Sequence, residues 1–347
     1  MKLAVQPESL LERVGLWLGL VPVPLFETHI SATLARAVMA GVELGVFECL
    51  EEAPLALDGI TGACKTEPAA TRLLLDALVA CGYLSLRQGC YALVPKSRTW
   101  LLASSAHSVR DKILLQGIEW GWLTHLEDFV RTGTPLDFHA TMSDSERDLY
   151  HRSMRAIAGI AGAEVAWRTP VPQGARRMLD LGGSHGHFAA SICRRHPLLD
   201  AHVMDFPDAI AKAAPLLAAE GLGARVVHVA GDVTAADLGA AQYDLIFMSN
   251  LAHHLGDDQN RTLARGVARA LKPGGVFVIQ EAVRPDGAAG QTGALLGLYF
   301  ALQSRPDVNS WTVAELRGWQ SGAGLKPRHA MRLHTAPGWV QQAAYVQ

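Results

Sequence analysis

The sequence predicts an α/β protein in two parts. A mainly α module comes first, and a doubly wound parallel sheet follows. Three observations carry this. Arg176 to Phe188 reads as a buried strand, a glycine turn and the start of a helix. From Arg176 onward, short apolar runs alternate with helical patterns, as βα units do. Upstream, two helical stretches lead into an alternating hairpin pattern, which together make a winged helix.

The composition supports packed cores. Of 347 residues, 49% are hydrophobic and 18% charged, and the formal net charge is -2. That length suggests two domains, and the low charge argues against disorder. No Lys/Arg-rich run occurs, so nothing pulls the chain towards nucleic acid or anionic membranes. The cysteines Cys49, Cys64, Cys81, Cys90 and Cys193 form no C-x-x-C pair. An odd, scattered set predicts free thiols in a reducing compartment, hence a cytoplasmic protein. Val14 to Phe26 is an uncharged apolar run of 13 residues. It is too short for a membrane span. Glu8 and Glu12 upstream, Pro22 and Pro24 within it, and no cleavage site argue against a signal peptide. It is expected to pack on a partner or on its own domain.

In the first part, Ile30, Leu34, Val38, Val42, Val46 and Leu50 fall at helical spacing, giving one or two helices over 26–50. Asp58 to Cys64 and Glu67 to Cys81 form a helix-turn-helix, with Pro68 in the first turn and Gly82 as terminator. Tyr83 to Leu93 alternates around Gln88-Gly89, a hairpin. A winged helix raises the possibility of a DNA-binding regulator. Its second helix offers only Arg72 as a basic residue among Leu73, Leu74, Leu75, Leu78 and Val79. Recognition helices need several polar and basic side chains, so packing or dimerisation is the expected role. Residues 98–150 are a helical bridge rich in aromatics, and 149–165 a long helix. A Pro- and Gly-rich linker at 168–174 sets a boundary. The expected parts are therefore 1–110, a helical segment 111–170, and a sheet domain 171–347.

In the sheet domain, strands are expected at 178–181, 202–204, 226–229, 245–248 and 276–280, with two more within 328–346. Ligands of such sheets sit beyond the strand C-termini, so the residues ending each strand matter most. After the first strand, Asp180-x-Gly182-Gly183-x-x-Gly186 does not fit the dinucleotide pattern G-x-G-x-x-G. It matches D-x-G-x-G-x-G, the S-adenosylmethionine (SAM) pattern, with Ser184 at the middle glycine. Asp205 ends the second strand, where a carboxylate accepts hydrogen bonds from a ribose diol. Gly231-Asp232-Val233 follows the third, an acid for an adenine amino group beside an apolar face for the ring.

Five pieces in order carry a resemblance: Leu179-Asp180-Leu181-Gly182-Gly183, Met204-Asp205-Phe206-Pro207, Gly231-Asp232-Val233, Asn250-Leu251-Ala252-His253-His254 and Leu271-Lys272-Pro273-Gly274-Gly275. From about Phe26 onward the chain resembles the O-methyltransferases of plant phenolics (the caffeic acid type) and bacterial aromatic polyketides. The resemblance implies a winged-helix dimerisation domain, a Rossmann-like SAM domain and a homodimer. It implies cofactor contacts at Gly182, Gly183, Asp205, Phe206, Gly231, Asp232, Val233 and Ser249. It also implies His253 as general base, backed by Glu281 at the end of the fifth strand. An imidazole, with an ordinary pKa of about 6.5, suits proton removal from a poorly nucleophilic hydroxyl at neutral pH. Met154, Tyr299, Gln303 and Trp311 are the acceptor-pocket candidates, with Phe300 beside them. Three departures stand out. Leu255 replaces a frequent tryptophan, Ser249 a plant lysine, and the second plant acid is missing near Ser310.

Adjacent His253 and His254, with His185 and His187 in the glycine loop, also suggest a metal. In extended chain, neighbouring side chains point to opposite faces, and no H-x-x-E or D-x-H pattern accompanies them. No metal is expected, His254 is expected to point away from the acceptor, and the loop histidines to flank SAM. The expected function is methyl transfer from SAM to a small-molecule hydroxyl oxygen, without nucleic acid or membrane. Sulfur, nitrogen or carbon acceptors are the alternatives, as are a non-methylating SAM-binding homologue and a ligand-sensing regulator.

Overall fold

The computed structural model describes residues 4–284, 290–303, 311–336 and 338–347. The chain divides into two compact units, Lys2–Trp120 and Gly121–Gln347.

In the first unit, Ser9 and Glu12 form a capping box that starts helix Leu10–Trp17. None of its residues is buried, and Leu10, Leu11, Trp17 and Leu20 lie open to solvent. The apolar pattern of 26–50 resolves into a π-helical turn Phe26–Ile30, helix Ser31–Glu43 and helix Val46–Cys49. The break falls at Gly45, whose φ of 75° suits glycine. Helices Leu57–Cys64 and Pro68–Ala80 follow, the second started by Pro68 and by Glu67, which accepts from the N–H groups of Ala69 and Ala70. Strands β1 (Leu55–Ala56), β2 (Leu84–Arg87) and β3 (Cys90–Leu93) form a small sheet in the order β1-β3-β2. Gln88 and Gly89 both have positive φ, at 50° and 78°, as a tight two-residue hairpin turn requires. Val42, Phe47, Leu50, Ile60, Leu75 and Leu78 make the core of the unit.

In the second unit, helix Asp144–Arg168 turns Ala158, Ala161 and Val165 onto helix His187–Arg195 and the sheet behind it. The sheet contains β4 (Arg177–Leu181), β5 (Asp200–Asp205), β6 (Val226–Ala230), β7 (Tyr243–Ser249) and β8 (Leu271–Ala282). The C-terminal strands are β9 (Lys326–Pro327), β10 (Met331–Arg332) and β11 (Trp339–Tyr345). The order is β10-β11-β8-β7-β4-β5-β6, with β9 also on β11. Strands β4 to β8 run parallel, and β11 lies antiparallel to β8. The chain goes outward from β4 through β5 to β6, then returns to the far side of β4 as β7. That reversal opens a crevice between the C-terminal ends of β4 and β7. The loops ending those strands meet there, since a Cβ on Gly182 would lie 3.1 Å from the Leu251 side chain. No described helix is long and apolar enough to cross a membrane.

Candidate active site

The glycine loop is shaped by what lies under it. Gly182 has φ of 66° and donates its N–H to the Met204 carbonyl at 2.8 Å. A Cβ on Gly183 would sit 2.5 Å from the Asp180 carboxyl and 2.7 Å from Val203, so glycine alone fits. Ser184, with φ of 41°, donates its N–H to Asp205 Oδ2 at 2.9 Å. Phe206 donates its N–H to Asp205 Oδ1 at 2.8 Å. Each Asp205 oxygen keeps a further lone pair for a ligand hydroxyl.

Asp180 is buried, and its Oδ1 has no hydrogen-bond partner among the described residues. Burial, with the neighbouring charge of Asp205, pushes its pKa up to about 8. Burial also raises that of Asp205, against the N–H groups of Phe206 and Ser184. Two carboxyls reluctant to ionise, in one crevice, favour a cationic ligand. SAM carries a sulfonium and an ammonium group. The orphaned Asp180 oxygen and the side-chain-free loop at Gly183 therefore fit it.

Four histidines buttress the loop. His151 Nδ1 lies 2.9 Å from the Ser184 hydroxyl, and His228 Nε2 lies 2.7 Å from the Ser184 carbonyl. His187 opens the following helix and pairs through Nδ1 with Glu220 at 2.9 Å. Arg155 and Arg194 also bond Glu220, at 2.6 and 2.7 Å. His185 is buried, which drives its pKa down to about 3 and keeps it neutral. At the end of β6, Asp232 Oδ1 accepts from the Thr234 N–H and hydroxyl, while Val233 is buried in the core below.

Across the crevice, His253 is 6% exposed and Glu281 0% exposed. His253 Nδ1 and Glu281 Oε1 are 2.9 Å apart. Glu281 Oε1 also accepts the N–H of Ala282, and Oε2 has no partner among the described residues. With Nδ1 donating to the carboxylate, Nε2 carries the lone pair of the neutral ring. The ring of Phe300 lies against the imidazole, with centroids 4.9 Å apart and planes 22° apart.

The extended backbone expected at the histidine pair is not what forms. Ala252–His254 is a 3-10 turn, so the two rings stay within 4.2 Å of each other instead of facing opposite ways. His254 is exposed, whereas His253 is buried. Among the described residues, no group of three or more His, Cys, Asp or Glu side chains is placed to hold a metal.

The loop bearing His253 is tied down by Trp311, one of the acceptor-pocket candidates, and by Asn260, which the motif pattern left unmarked. Asn260 Nδ2 donates to the carbonyls of Ala252 and Leu255 at 3.1 and 3.0 Å. Trp311 is buried, and its indole N–H donates to the Ala252 carbonyl at 2.7 Å. Trp311 thus reaches the site through the backbone of this loop. Ser249 Oγ accepts from Gln280 Nε2 at 2.9 Å, and Gln280 in turn accepts from Gln341 at 3.0 Å. Asn250 has φ of 52° and a buried Oδ1 without a partner among the described residues. Met154 and Tyr299 are half-buried, and the Gln303 Nε2 is buried without a partner among the described residues. Ser310, where the second acid was sought, lies outside the described residues. Asn260 had one visible signal: it shares the helical stripe of Leu263, Ala264 and Val267, where a polar side chain needs a buried reason.

The chain is similar to known proteins. Residues 125–325 match the O-methyltransferase domain, and residues 28–103 match the O-methyltransferase dimerisation domain. Acetylserotonin O-methyltransferase of Mus musculus is 30% identical over 330 residues, covering 86% of this chain and 84% of that protein. The 3-hydroxy-5-methyl-1-naphthoate 3-O-methyltransferase of Streptomyces sahachiroi is 26% identical, covering 87% and 89% of the two chains. The crystal structure of human N-acetylserotonin methyltransferase in complex with SAM aligns with a TM-score of 0.83 at 21% identity, over 99% of each chain.

Proposed function

The chain belongs to the SAM-dependent O-methyltransferases, and from that premise we propose that His253 is its general base and an aromatic hydroxyl its acceptor. The observation that carries the reading is the buried pair of His253 Nδ1 and Glu281 Oε1 at 2.9 Å. SAM, when bound, supplies an electrophilic methyl group on a positive sulfonium. Gly182, Gly183 and Asp205, with Asp180 beneath them, would hold it. Phe206, Gly231, Asp232, Val233 and Ser249 complete its surroundings.

The work left to the chain is to hold the acceptor and move one proton. His253 Nε2 takes the proton of the acceptor hydroxyl as that oxygen becomes nucleophilic. Glu281 keeps Nδ1 protonated beforehand and offsets the imidazolium charge afterwards. Holding both reactants in line supplies much of the remaining acceleration. Met154, Tyr299 and Gln303 are assigned to the acceptor pocket, and Trp311 to the loop that carries the base. The two relatives above are named for hydroxyls on acetylserotonin and on a hydroxynaphthoate. Both point to a hydroxyl on a fused aromatic ring. The dimerisation domain and the bare apolar helix Leu10–Trp17 support a homodimer.

Incubation with methyl-labelled SAM and a panel of acceptors tests the reading, with mass spectrometry of the products. The panel holds hydroxyindoles, hydroxynaphthoates, simple phenols, hydroxy acids, amines, thiols and keto acids. Labelled methyl ethers of the aromatic hydroxyls are expected. Transfer only to amines, thiols or carbon would overturn the acceptor assignment.

A further inference from the structure

We propose that Phe300 is a positioning residue for the base: its ring holds the plane of the His253 imidazole, so that Nε2 faces the acceptor oxygen. The inference rests on the reading of His253 as base.

One hydrogen bond does not fix an imidazole. The bond from Nδ1 to Glu281 anchors one corner of the ring. The side-chain torsion that turns the ring is broad, so the plane stays free to tilt about that anchor. A second restraint is needed, and it must act on the face. Phe300 meets it, lying 4.9 Å away and within 22° of parallel. That is the spacing of a stacked aromatic pair. The His254 ring lies 4.2 Å away but is tilted by 42° and exposed, which leaves it poorly placed to define a plane.

Phe300 is itself fixed. It lies near the end of helix Gln291–Gln303, where Ala301 and Leu302 are buried. The Leu302 carbonyl accepts the N–H of Leu136 at 2.8 Å, which pins that turn. Leu295 and Leu298, in earlier turns of the helix, are exposed, so the C-terminal turn sets the position.

The stack also acts when the proton moves. An imidazolium facing an aromatic ring is a cation over a π face. That cation forms only as the acceptor loses its proton, so the interaction lowers the barrier more than it tightens substrate binding. Phe300 should therefore show in kcat, and only while His253 is present.

The experiment is a double-mutant cycle on the full chain, using the acceptor found in the panel. Parent, Phe300→Met, Phe300→Leu, Phe300→Tyr, His253→Ala and Phe300→Met/His253→Ala are compared for kcat and both KM values. Thermal melting and SAM calorimetry check the fold of each. Methionine keeps the volume and removes the ring face, and leucine is a second ringless side chain should methionine pack badly. Either is expected to lower kcat about tenfold, or about 1.4 kcal/mol in the barrier, with acceptor KM changed less than threefold. Tyrosine restores the flat ring and keeps most of kcat. In the His253→Ala background, Phe300→Met is expected to add nothing. Three results would overturn the proposal: kcat unchanged in both ringless variants, a loss confined to KM, or the same tenfold loss without His253. If His253→Ala itself kept most activity, the base reading would fail first. A large loss there, with no coupling to Phe300, would sink this proposal alone.

Discussion

Replacing Glu281 by glutamine isolates the charge behind the base. The side chain is fully buried and 2.9 Å from His253 Nδ1. At that distance two unit charges attract by about 5–6 kcal/mol at an effective dielectric of about 20. Glutamine keeps an oxygen for the Nδ1–H and for the Ala282 N–H, so the tautomer survives. Its amide nitrogen would take the place of Oε2, which already lacks a partner. The fold should therefore change little. What is lost is the charge that meets the imidazolium. Charge-assisted hydrogen bonds are roughly twice as strong as neutral ones. Of the roughly 1.5–3 kcal/mol that a charged hydrogen bond is worth, about half, or about 0.8–1.5 kcal/mol, is therefore lost, which lowers kcat by about 4- to 13-fold. SAM affinity should stay near that of the parent. Initial rates with labelled SAM at saturating acceptor give kcat, and calorimetry gives the affinity. A kcat within twofold of the parent would refute the role assigned to Glu281.

Three further outcomes follow. Asp205→Ala should weaken SAM binding about tenfold or more, from the loss of about 1.5–3 kcal/mol in charged hydrogen bonds; calorimetry giving unchanged affinity would remove it from the cofactor site. Burial works against ionisation of Glu220, but bonds from His187, Arg194 and Arg155 outweigh it and hold its pKa at about 2. Because that lies below the ordinary carboxylate value, Glu220 contributes stability that is full above about pH 4.5 and lost as pH falls towards 2. Urea melts over that window should show Glu220→Gln losing less stability than the parent on acidification, with the difference of order 2–3 kcal/mol. Light scattering at micromolar concentration should give twice the 37.2 kDa chain mass, and a monomer mass would refute the homodimer.

Much of the fold was legible because the signals were local. Apolar runs place β4 to β8 to within five residues at each end, and Gln88-Gly89 marks its hairpin by turn chemistry alone. The Gly183 requirement is also written in the sequence, as a glycine after a buried strand. Tertiary detail was not. Asp180 counted as a motif letter, yet its burial and orphaned oxygen arise only when Asp205 and the loop close around it. Extended chain is the expectation at the histidine pair, whereas a 3-10 turn forms and Asn260 and Trp311 tie the flanking carbonyls of Ala252 and Leu255. Neither partner lies inside the motif, and only Asn260 gives a local sign, as a polar residue in an apolar helical stripe. The stack of Phe300 on His253 joins residues 47 positions apart and has no sequence signal at all.

The most direct test of the central claim is the turnover of His253→Ala, beside His254→Ala, with SAM affinity measured on the same samples. Loss of the base should lower kcat by about 10²–10⁴ and leave SAM binding near normal. His254→Ala should stay within a few-fold of the parent. An His253→Ala enzyme that kept most of its turnover would contradict the account, and would move the acceptor to a group that needs no deprotonation.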